Sequence, residues 1–440
     1  MTGSVLVQPR REDVEAQVRR MLQDRIFTTA ETQAKVFAWI VERTLAGVET
    51  VQKHIRARFF GTRHYKPDSP IVKVTVREIR KRLRKYYDGP GKNDLVIISF
   101  PEPDPKIKPL AGESYRTLFA YNPNSEPERL CLLGHAALRL SYPRDFSVAR
   151  QYFIAAKEYV PTYFPAYIGQ AETLLQHAVF SCDRFTTPDQ LLGEAEQQLK
   201  EVLRMDPRLA RAHLLCGVVH SCRREWPKAN DAFDEALAID PSGTASDSWY
   251  AAFLMATRRR PDEAIRIAEY QARSRPDDPL SQILYGVFLY AARRFREAYA
   301  VVFQEFLYKN HWLANLMLCL LGLEAGDSSQ AWGSITVCRK RLGGSYACSG
   351  LDVLCLMRQG RKEEAAQLLS RIEEQKDVNL LDKAVAYMAT ERWDLAIRAF
   401  AGAKEYHEPV MAWAHLWPVL DPLRRYIDEA LKANPTPPAA

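Results

Sequence analysis

The chain has 440 residues, of which 47% are hydrophobic, and a formal net charge of +7. This length and apolar content predict a globular protein of two or three domains. The best uninterrupted apolar run, residues 313–323, is about half of the ~20 residues that a membrane span requires, so we expect no membrane partner.

Charge is divided unevenly along the chain. Residues 1–110 contain 22 Lys or Arg and 13 Asp or Glu, which leaves 39 basic and 41 acidic residues for the rest, out of totals of 61 and 54. This asymmetry is typical of a nucleic-acid-binding part joined to a neutral one, although an ordinary solvated basic surface also produces it.

Three helical patterns come first. Apolar residues recur at helical spacing in residues 12–22 and 31–46, with a stop at Gly47, and a third pattern covers residues 49–60. We therefore predict a small group of helices. The apolar positions are Val14, Val18 and Leu22 in the first pattern, and Val36, Ile40 and Leu45 form the core face of the second.

Residues 69–87 have the most informative pattern in the chain. Apolar and basic residues each recur at helical spacing, on two faces about 100° apart. Seven Lys or Arg stand against a single acid, Glu78. A helix that packs on one side and is cationic on the other can lie in a DNA groove. Its apolar positions are Val72, Val76, Ile79, Leu83 and Tyr86.

A turn at residues 89–94 then leads to residues 95–100, which are rich enough in β-branched side chains to form a strand. Helices, a basic helix and a strand follow one another in the order of a winged helix-turn-helix. We therefore predict a small α+β winged-helix domain at residues 1–100.

The basic helix also resembles a known family. Residues 72–83 are similar to the recognition helix of OmpR-type winged-helix regulators, and the resemblance extends over about residues 30–100. It implies binding to duplex DNA through the major groove. The residues that it places at the DNA are Lys73, Thr75, Arg77, Glu78, Arg80, Lys81 and Arg84, with Lys53, Arg56 and Arg58 as phosphate contacts on the preceding helix.

The chain departs from the family pattern after the first wing strand. Six prolines occur in residues 101–127, and proline cannot donate to a strand ladder. We expect the second wing strand to be short or absent, and we assign residues 101–127 to a linker. If DNA does not bind, the basic helix is a solvated face or a stripe for an acidic protein patch.

Beyond the linker, alanines recur with a period near 34 residues. The successive spacings are 46, 34, 35, 34, 33, 34 and 31, and each alanine is followed four positions later by an apolar residue. A small residue at this position lets the second helix of a hairpin press against the first. The alanines are Ala149, Ala195, Ala229, Ala264, Ala298, Ala331, Ala365 and Ala396.

This pattern resembles the tetratricopeptide-repeat family over more than half of the chain. The resemblance implies an all-α solenoid of about eight hairpins at residues 128–405, with a protein or peptide ligand on its concave surface. We interpret residues 406–433 as capping helices and residues 434–440 as a disordered tail. The fold class is therefore mainly α.

The sequence contains no motif for catalysis or for a cofactor, so we expect neither an enzyme nor a bound cofactor. Eight scattered cysteines are typical of small buried hydrophobic residues in a reducing compartment, which favours the cytoplasm. His213, Cys216 and His220 share one helical face, where they are either metal ligands or core residues of a hairpin. The repeat register favours the core, and we predict no metal site.

Two functions remain open. The first is a DNA-binding transcription regulator whose repeats recruit or sense a protein or peptide, or pair with a second copy as a homodimer. The second is a repeat scaffold or adaptor in which the basic N-terminal domain docks onto protein and does not bind DNA.

Overall fold

The structure is a computed structural model of the chain. It describes residues 9–61, 70–101, 115–138, 143–180, 187–257, 260–309, 311–342, 348–375, 379–405 and 409–424. The chain forms two compact units: an N-terminal unit of Met1–Leu132 and Glu158–Pro165, and a repeat unit of Leu133–Lys157 and Ala166–Ala440.

The described part of the N-terminal unit begins with five helices and continues into a two-stranded sheet. The four predicted helical patterns all form helices, and a short helix that follows the cap residue Asp24 is additional. The elements are α1 (Arg11–Gln23), α2 (Arg25–Thr28), α3 (Glu31–Leu45), α4 (Gln52–Phe59), α5 (Ile71–Tyr87), β1 (Val96–Ser99) and β2 (Leu118–Tyr121).

The apolar face predicted for the basic helix is confirmed. Helix α5 packs against α3 and β1, and all five of its predicted apolar positions are at most 4% exposed. Val14 of α1 and both Val36 and Ile40 of α3 are fully buried in the same core. The opposite face of α5 therefore lies toward solvent.

Strand β2 is short, as expected for a strand that follows the proline-rich segment, and has four residues. It pairs with β1 in antiparallel fashion, with Val96 opposite Tyr121 and Ser99 opposite Leu118. The prolines at 101–109 precede β2 in the chain, so they are not required to donate to its ladder. The segment predicted as a linker therefore contains a strand, and the N-terminal unit continues beyond residue 127.

The repeat unit is a tetratricopeptide-like solenoid. From α6 onward, sixteen helices follow one another in the chain as eight successive hairpins, each with a first and a second helix, and the short α12 (Pro241–Ala245) is additional. The first seven residues of α6 belong to the N-terminal unit. The pairs are α6 (Glu126–Leu138) and α7 (Pro143–Tyr159), α8 (Phe164–Phe180) and α9 (Pro188–Met205), α10 (Ala210–Cys222) and α11 (Trp226–Ile239), α13 (Ser248–Ala256) and α14 (Pro261–Ser274), α15 (Pro279–Ala291) and α16 (Phe295–Lys309), α17 (Trp312–Ala325) and α18 (Ser328–Arg341), α19 (Ser349–Arg358) and α20 (Lys362–Glu374), and α21 (Leu380–Ala389) and α22 (Trp393–Glu405).

The alanine period identifies the second helix of every hairpin. All eight periodic alanines lie on second helices and are fully buried. The residue four positions later, one turn along the same face, is at most 3% exposed in every hairpin. The helical-hairpin interpretation of the period is confirmed.

The region after α22 differs from the predicted capping helices. Residues 409–424, here called the C-terminal strap, form three short 3-10 segments, Pro409–Ala412, Ala414–Leu416 and Pro418–Leu423. Pro422 lacks a backbone N–H, so an α-helix does not continue through it. The remainder of the predicted cap and the tail at 434–440 lie outside the described residues.

Gly217 permits the close helix approach in the third hairpin. A Cβ atom at this position of α10 would lie 2.9 Å from the ring of Phe233 in α11, which is nearer than real Cβ contacts allow. Gly193, inside α9, differs because a Cβ there would have no heavy atom within 4 Å. Gly217 is therefore required by packing, whereas a substitution at Gly193 changes only the helix propensity.

We predict opposite effects for the same substitution at these glycines. Gly217→Ala should lower the melting temperature, because overpacking a core typically costs about 1–3 kcal/mol. Gly193→Ala should hold or raise it, because alanine is favoured over glycine in a helix by roughly 1 kcal/mol. Thermal unfolding followed by circular dichroism measures both. Equal shifts would contradict the assigned contact with Phe233.

Two buried carboxylates connect the last three hairpins. Asp352 of α19 pairs with Arg339 of α18 at 2.7 Å. Asp382 of α21 accepts hydrogen bonds from the Ser349 hydroxyl and the Gly350 amide, each at 2.9 Å. Burial raises the pKa of Asp352 to about 6 and that of Asp382 to about 7.

These raised pKa values predict a pH dependence of stability. The native state binds protons more tightly than the unfolded chain from about pH 4 to about pH 7, so the unfolding free energy should fall as pH rises through that range. Asp382→Asn should flatten part of this slope in melting curves at successive pH values. Glu363→Gln, at an exposed position of α20, is the control with the same change of charge. An unchanged slope in Asp382→Asn would contradict the raised pKa.

Candidate functional site

A row of basic side chains lies on the outer face of α5. Lys73, Arg77, Lys81 and Arg84 are all exposed and follow one another at spacings of three or four residues. The side chains of Arg77 and Lys81 are 66% and 60% exposed. Because the opposite face of α5 fills the core, these cations have a fixed direction toward solvent.

The preceding helix adds further cations. Lys53 and Arg58 of α4 are exposed, and Arg56 is half-buried. Ile55 is fully buried in the same core as α5, and α4 contacts α5 directly. The predicted phosphate-contact residues therefore lie on a helix that is packed against the basic one.

Two of the residues predicted to contact DNA, Thr75 and Arg80, do not belong to the exposed row. Thr75 is 7% exposed, and its hydroxyl donates to the Ile71 carbonyl oxygen at 2.8 Å. Arg80 donates through Nη2 to the Pro101 carbonyl oxygen at 2.7 Å and through Nε to that of Phe100 at 3.3 Å. Thr75 is thus part of the packed face, and Arg80 fastens α5 to the chain after β1.

Glu78 lies within the row of cations. Its carboxylate is 2.9 Å from Lys81 Nζ and 3.8 Å from Arg77 Nε. The hydrogen bond from Lys81 is the main cause of a lowered pKa at Glu78. The carboxylate therefore stays ionised at neutral pH and offsets part of the positive charge of the row.

The C-terminal end of α5 is held by a buried carboxylate. Asp94, in the turn before β1, accepts hydrogen bonds from Tyr86 and Gln17 at 2.7 Å each, and from Arg20 at 2.9 Å. Burial alone would raise the pKa of Asp94, but these hydrogen bonds lower it below its ordinary value. The cluster joins α5, α1 and the turn, and so fixes the basic face relative to the sheet.

An open cleft of about 610 Å³ lies beside the end of α5. Three of its lining residues are cations and one is a carboxylate, so its chemistry suits an anion such as a phosphate group. The lining residues are Ile26, Lys81, Arg84, Lys85, Asp88, Gly89 and Pro90.

The repeat unit has a second candidate surface, and the sequence did not reveal the segment that covers it. It is formed by α10, α13, α15 and α17, the first helices of hairpins three to six, and is called the first-helix face below. The strap lies across it: Pro409–Ala412 contacts α10, and Pro418–Leu423 contacts α17. Between these ends, Trp413 Nε1 donates to the Ala252 carbonyl oxygen of α13 at 3.1 Å, and the Trp417 ring lies 6.1 Å from that of Tyr290 in α15.

The strap and the first-helix face cover each other. Ten of the fourteen residues of α17 are buried, which is typical of a helix packed on every side. One side of α17 packs against α18 and another against the strap. This explains the apolar run at 313–323, and no described helix is long and apolar enough to cross a bilayer. The strap residues exposed by at most 4% are Met411, Ala412, Ala414, Leu420 and Leu423.

The histidines of α10 are engaged by protein atoms. His213 Nε2 lies 2.8 Å from the Pro207 carbonyl oxygen, and His220 Nδ1 lies 2.7 Å from a Glu225 carboxylate oxygen. Within the described ranges, no group of three or more His, Cys, Asp or Glu side chains is arranged to hold a metal ion.

Comparison with known proteins yields no family model and no curated protein that matches the chain. Solved structures do match. One is PilW, a widely conserved type IV pilus biogenesis factor, at 17% identity, with 47% of this chain and 96% of PilW covered and a TM-score of 0.36.

Two further matches cover nearly the whole chain. Yeast Tom70 is 14% identical over 96% of this chain and 85% of its own, with a TM-score of 0.38. A monomeric IFIT1 mutant with Gppp-AAAA is 14% identical over 91% of this chain and 96% of its own, with a TM-score of 0.42. Because all three scores are below 0.5, the assignment of the fold rests on the eight hairpins themselves.

Proposed function

We propose that this chain is a protein-interaction scaffold whose repeats bind a segment of polypeptide on the first-helix face. The observation that carries the proposal is the strap, a segment of short 3-10 turns that lies along four successive hairpins. Its contacts include an indole N–H bonded to a main-chain carbonyl oxygen and apolar side chains buried against the helices. A surface with this shape and chemistry accepts polypeptide.

A repeat array is well suited to this role. Each hairpin contacts its neighbours, so the first helices stand in a row and offer one continuous surface. The surface is apolar, and apolar area removed from water stabilises a complex by roughly 25 cal/mol per Å² before the costs of association. A bound segment can therefore be longer than any single hairpin.

A second candidate concerns the N-terminal unit. We infer that α5 binds duplex DNA through Lys73, Arg77, Lys81 and Arg84. The exposure of these four cations along one face of a helix favours it. If so, the chain is a transcription regulator that joins a DNA site to a protein partner. If not, it is an adaptor with a basic docking module.

The scaffold proposal predicts which helices a ligand protects. An unbiased library of displayed peptides is selected against the full-length chain, and in parallel against Trp413→Ala/Trp417→Ala. Selected peptides should slow amide hydrogen exchange in α13, α15 and α17. Arg293→Glu, in the turn after α15, should weaken binding of the acidic ones severalfold, because the reversal replaces a weak attraction by a repulsion, and Arg273→Glu, on the second helix α14, should not. Failure to enrich peptides, or protection of second helices alone, would overturn the proposal.

The DNA candidate predicts a particular salt dependence. Full-length chain should bind random-sequence duplex DNA in an anisotropy titration, with an affinity that falls as salt rises. Arg77→Ala/Lys81→Ala should lower the affinity and reduce the slope of log affinity against log salt by about 1 per lost phosphate contact. Arg11→Ala/Lys35→Ala removes two exposed cations from α1 and α3 as the control. Equal behaviour of the two double variants would show that α5 is an ordinary solvated face.

A further inference from the structure

The strap has little means of holding its own conformation. Its internal order comes from short 3-10 segments, with hydrogen bonds such as Leu416 N–H to the Trp413 carbonyl oxygen at 2.9 Å, and from one exposed ion pair between Arg424 and Asp421 at 3.1 Å. Isolated 3-10 turns have poor hydrogen-bond geometry and persist only in short pieces. The order of the strap therefore derives from the surface beneath it, as for a segment that folds on binding.

Three contacts fix the position of the strap on that surface. The Trp413 indole N–H donates to the Ala252 carbonyl oxygen. The Trp417 ring lies against Tyr290, which is only 1% exposed. Aromatic side chains with one polar atom, packed on an apolar surface, are the usual anchors of a protein interface.

The third contact is an ion pair. Asp421 accepts from Arg293 Nη2 at 2.8 Å, and Arg293 stands in the turn after α15 with φ of 61°. The two side chains are 40% and 39% exposed, so their pairing contributes little affinity. The ion pair sets the register of the strap instead. In a shifted register a residue without a carboxylate would lie beside Arg293, and the guanidinium would lose its ionic partner.

We propose, on the basis of the proposed scaffold function, that the strap is an intramolecular ligand that occupies the partner's binding site on the first-helix face. The partner is a protein segment with the same chemistry: two tryptophans four residues apart, then a proline, aliphatic residues and an acid that meets Arg293. Binding of the partner displaces the strap. The strap thereby makes the free chain self-inhibited.

The apolar character of the first-helix face supports replacement of the strap by a partner segment. The first helices α10, α13 and α17 have buried residues around most of their circumference. Removal of the strap would expose a continuous apolar surface, which a folded protein rarely presents to water. Displacement is therefore favourable only when another apolar segment takes the place of the strap.

Tethering sets the threshold for displacement. A segment joined close to its own site has an effective concentration on the order of mM. A free peptide of equal intrinsic affinity has to approach that concentration before it competes. The face should thus stay closed to weak ligands and open to a partner that is held nearby or has additional contacts.

The experiment uses a labelled synthetic peptide of residues 409–424 as the probe. Full-length wild-type chain should bind it weakly, and full-length Trp413→Ala/Trp417→Ala should bind it at least about tenfold more tightly, because its own strap is weakened. The peptide should also raise the melting temperature of this variant. Trp393→Ala, on α22 with its side chain 44% exposed, should behave as wild type. A peptide with both tryptophans replaced by alanine should not bind.

If the double tryptophan variant does not fold, a second test swaps the two charges of the ion pair between Arg293 and Asp421. Arg293→Glu should bind a peptide that carries Asp421→Lys more tightly than the unaltered peptide, and wild type should show the reverse preference. Absence of this exchange would overturn the register assigned to the strap. A folded strap variant that ignores the strap peptide but binds library-selected peptides would overturn this inference and leave the scaffold function in place.

Two other results bear on the proposal. If the strap variant binds neither the strap peptide nor any selected peptide, the scaffold function fails as well. If the wild-type chain forms dimers that the strap peptide dissociates, the occupant is the strap of a second copy, and a heterologous partner is ruled out as the ligand.

Discussion

The close approach of two helices at a buried alanine is the contact on which the repeat unit depends. All eight alanines are fully buried, and the residue one turn later is at most 3% exposed in every hairpin, as a close approach of the two helices requires. Gly217 against Phe233 shows how little room remains. Repetition of this contact every 34 residues or so aligns the first helices and creates their common face.

That face explains the features of the repeat unit that the hairpins alone do not. Its helices have buried residues around most of their circumference, and exposure of such an apolar surface to water is unfavourable. The strap supplies the cover, and its tryptophans and aspartate show what kind of segment the surface accepts. The N-terminal unit differs, since one face of α5 is packed and the other carries cations toward solvent.

Particular residues show which structural features the spacing of apolar residues predicts. The apolar face of α5 follows from its spacing, and so does the burial of Thr75, which stands three residues after Val72 and four before Ile79. The family resemblance assigned Thr75 to DNA against that spacing, and the structure follows the spacing. The position of β2 was not predicted because the prolines before it suggested a linker, while its pairing depends on a partner strand about twenty residues earlier. The cap was expected to be helical because the repeats before it are.

The amino-acid sequence by itself determined the long helices, their buried faces and the hairpin period, because these depend on residues three, four or about 34 positions apart in the chain. Only the tertiary structure decided where β2 pairs, that Arg80 fastens α5 to the chain after β1, and that the strap lies on the first-helix face. The strap contact joins Trp413 to Ala252, which are 161 residues apart. A contact of that separation leaves no period in a sequence, since it is selected by the burial of complementary surfaces after the helices have formed.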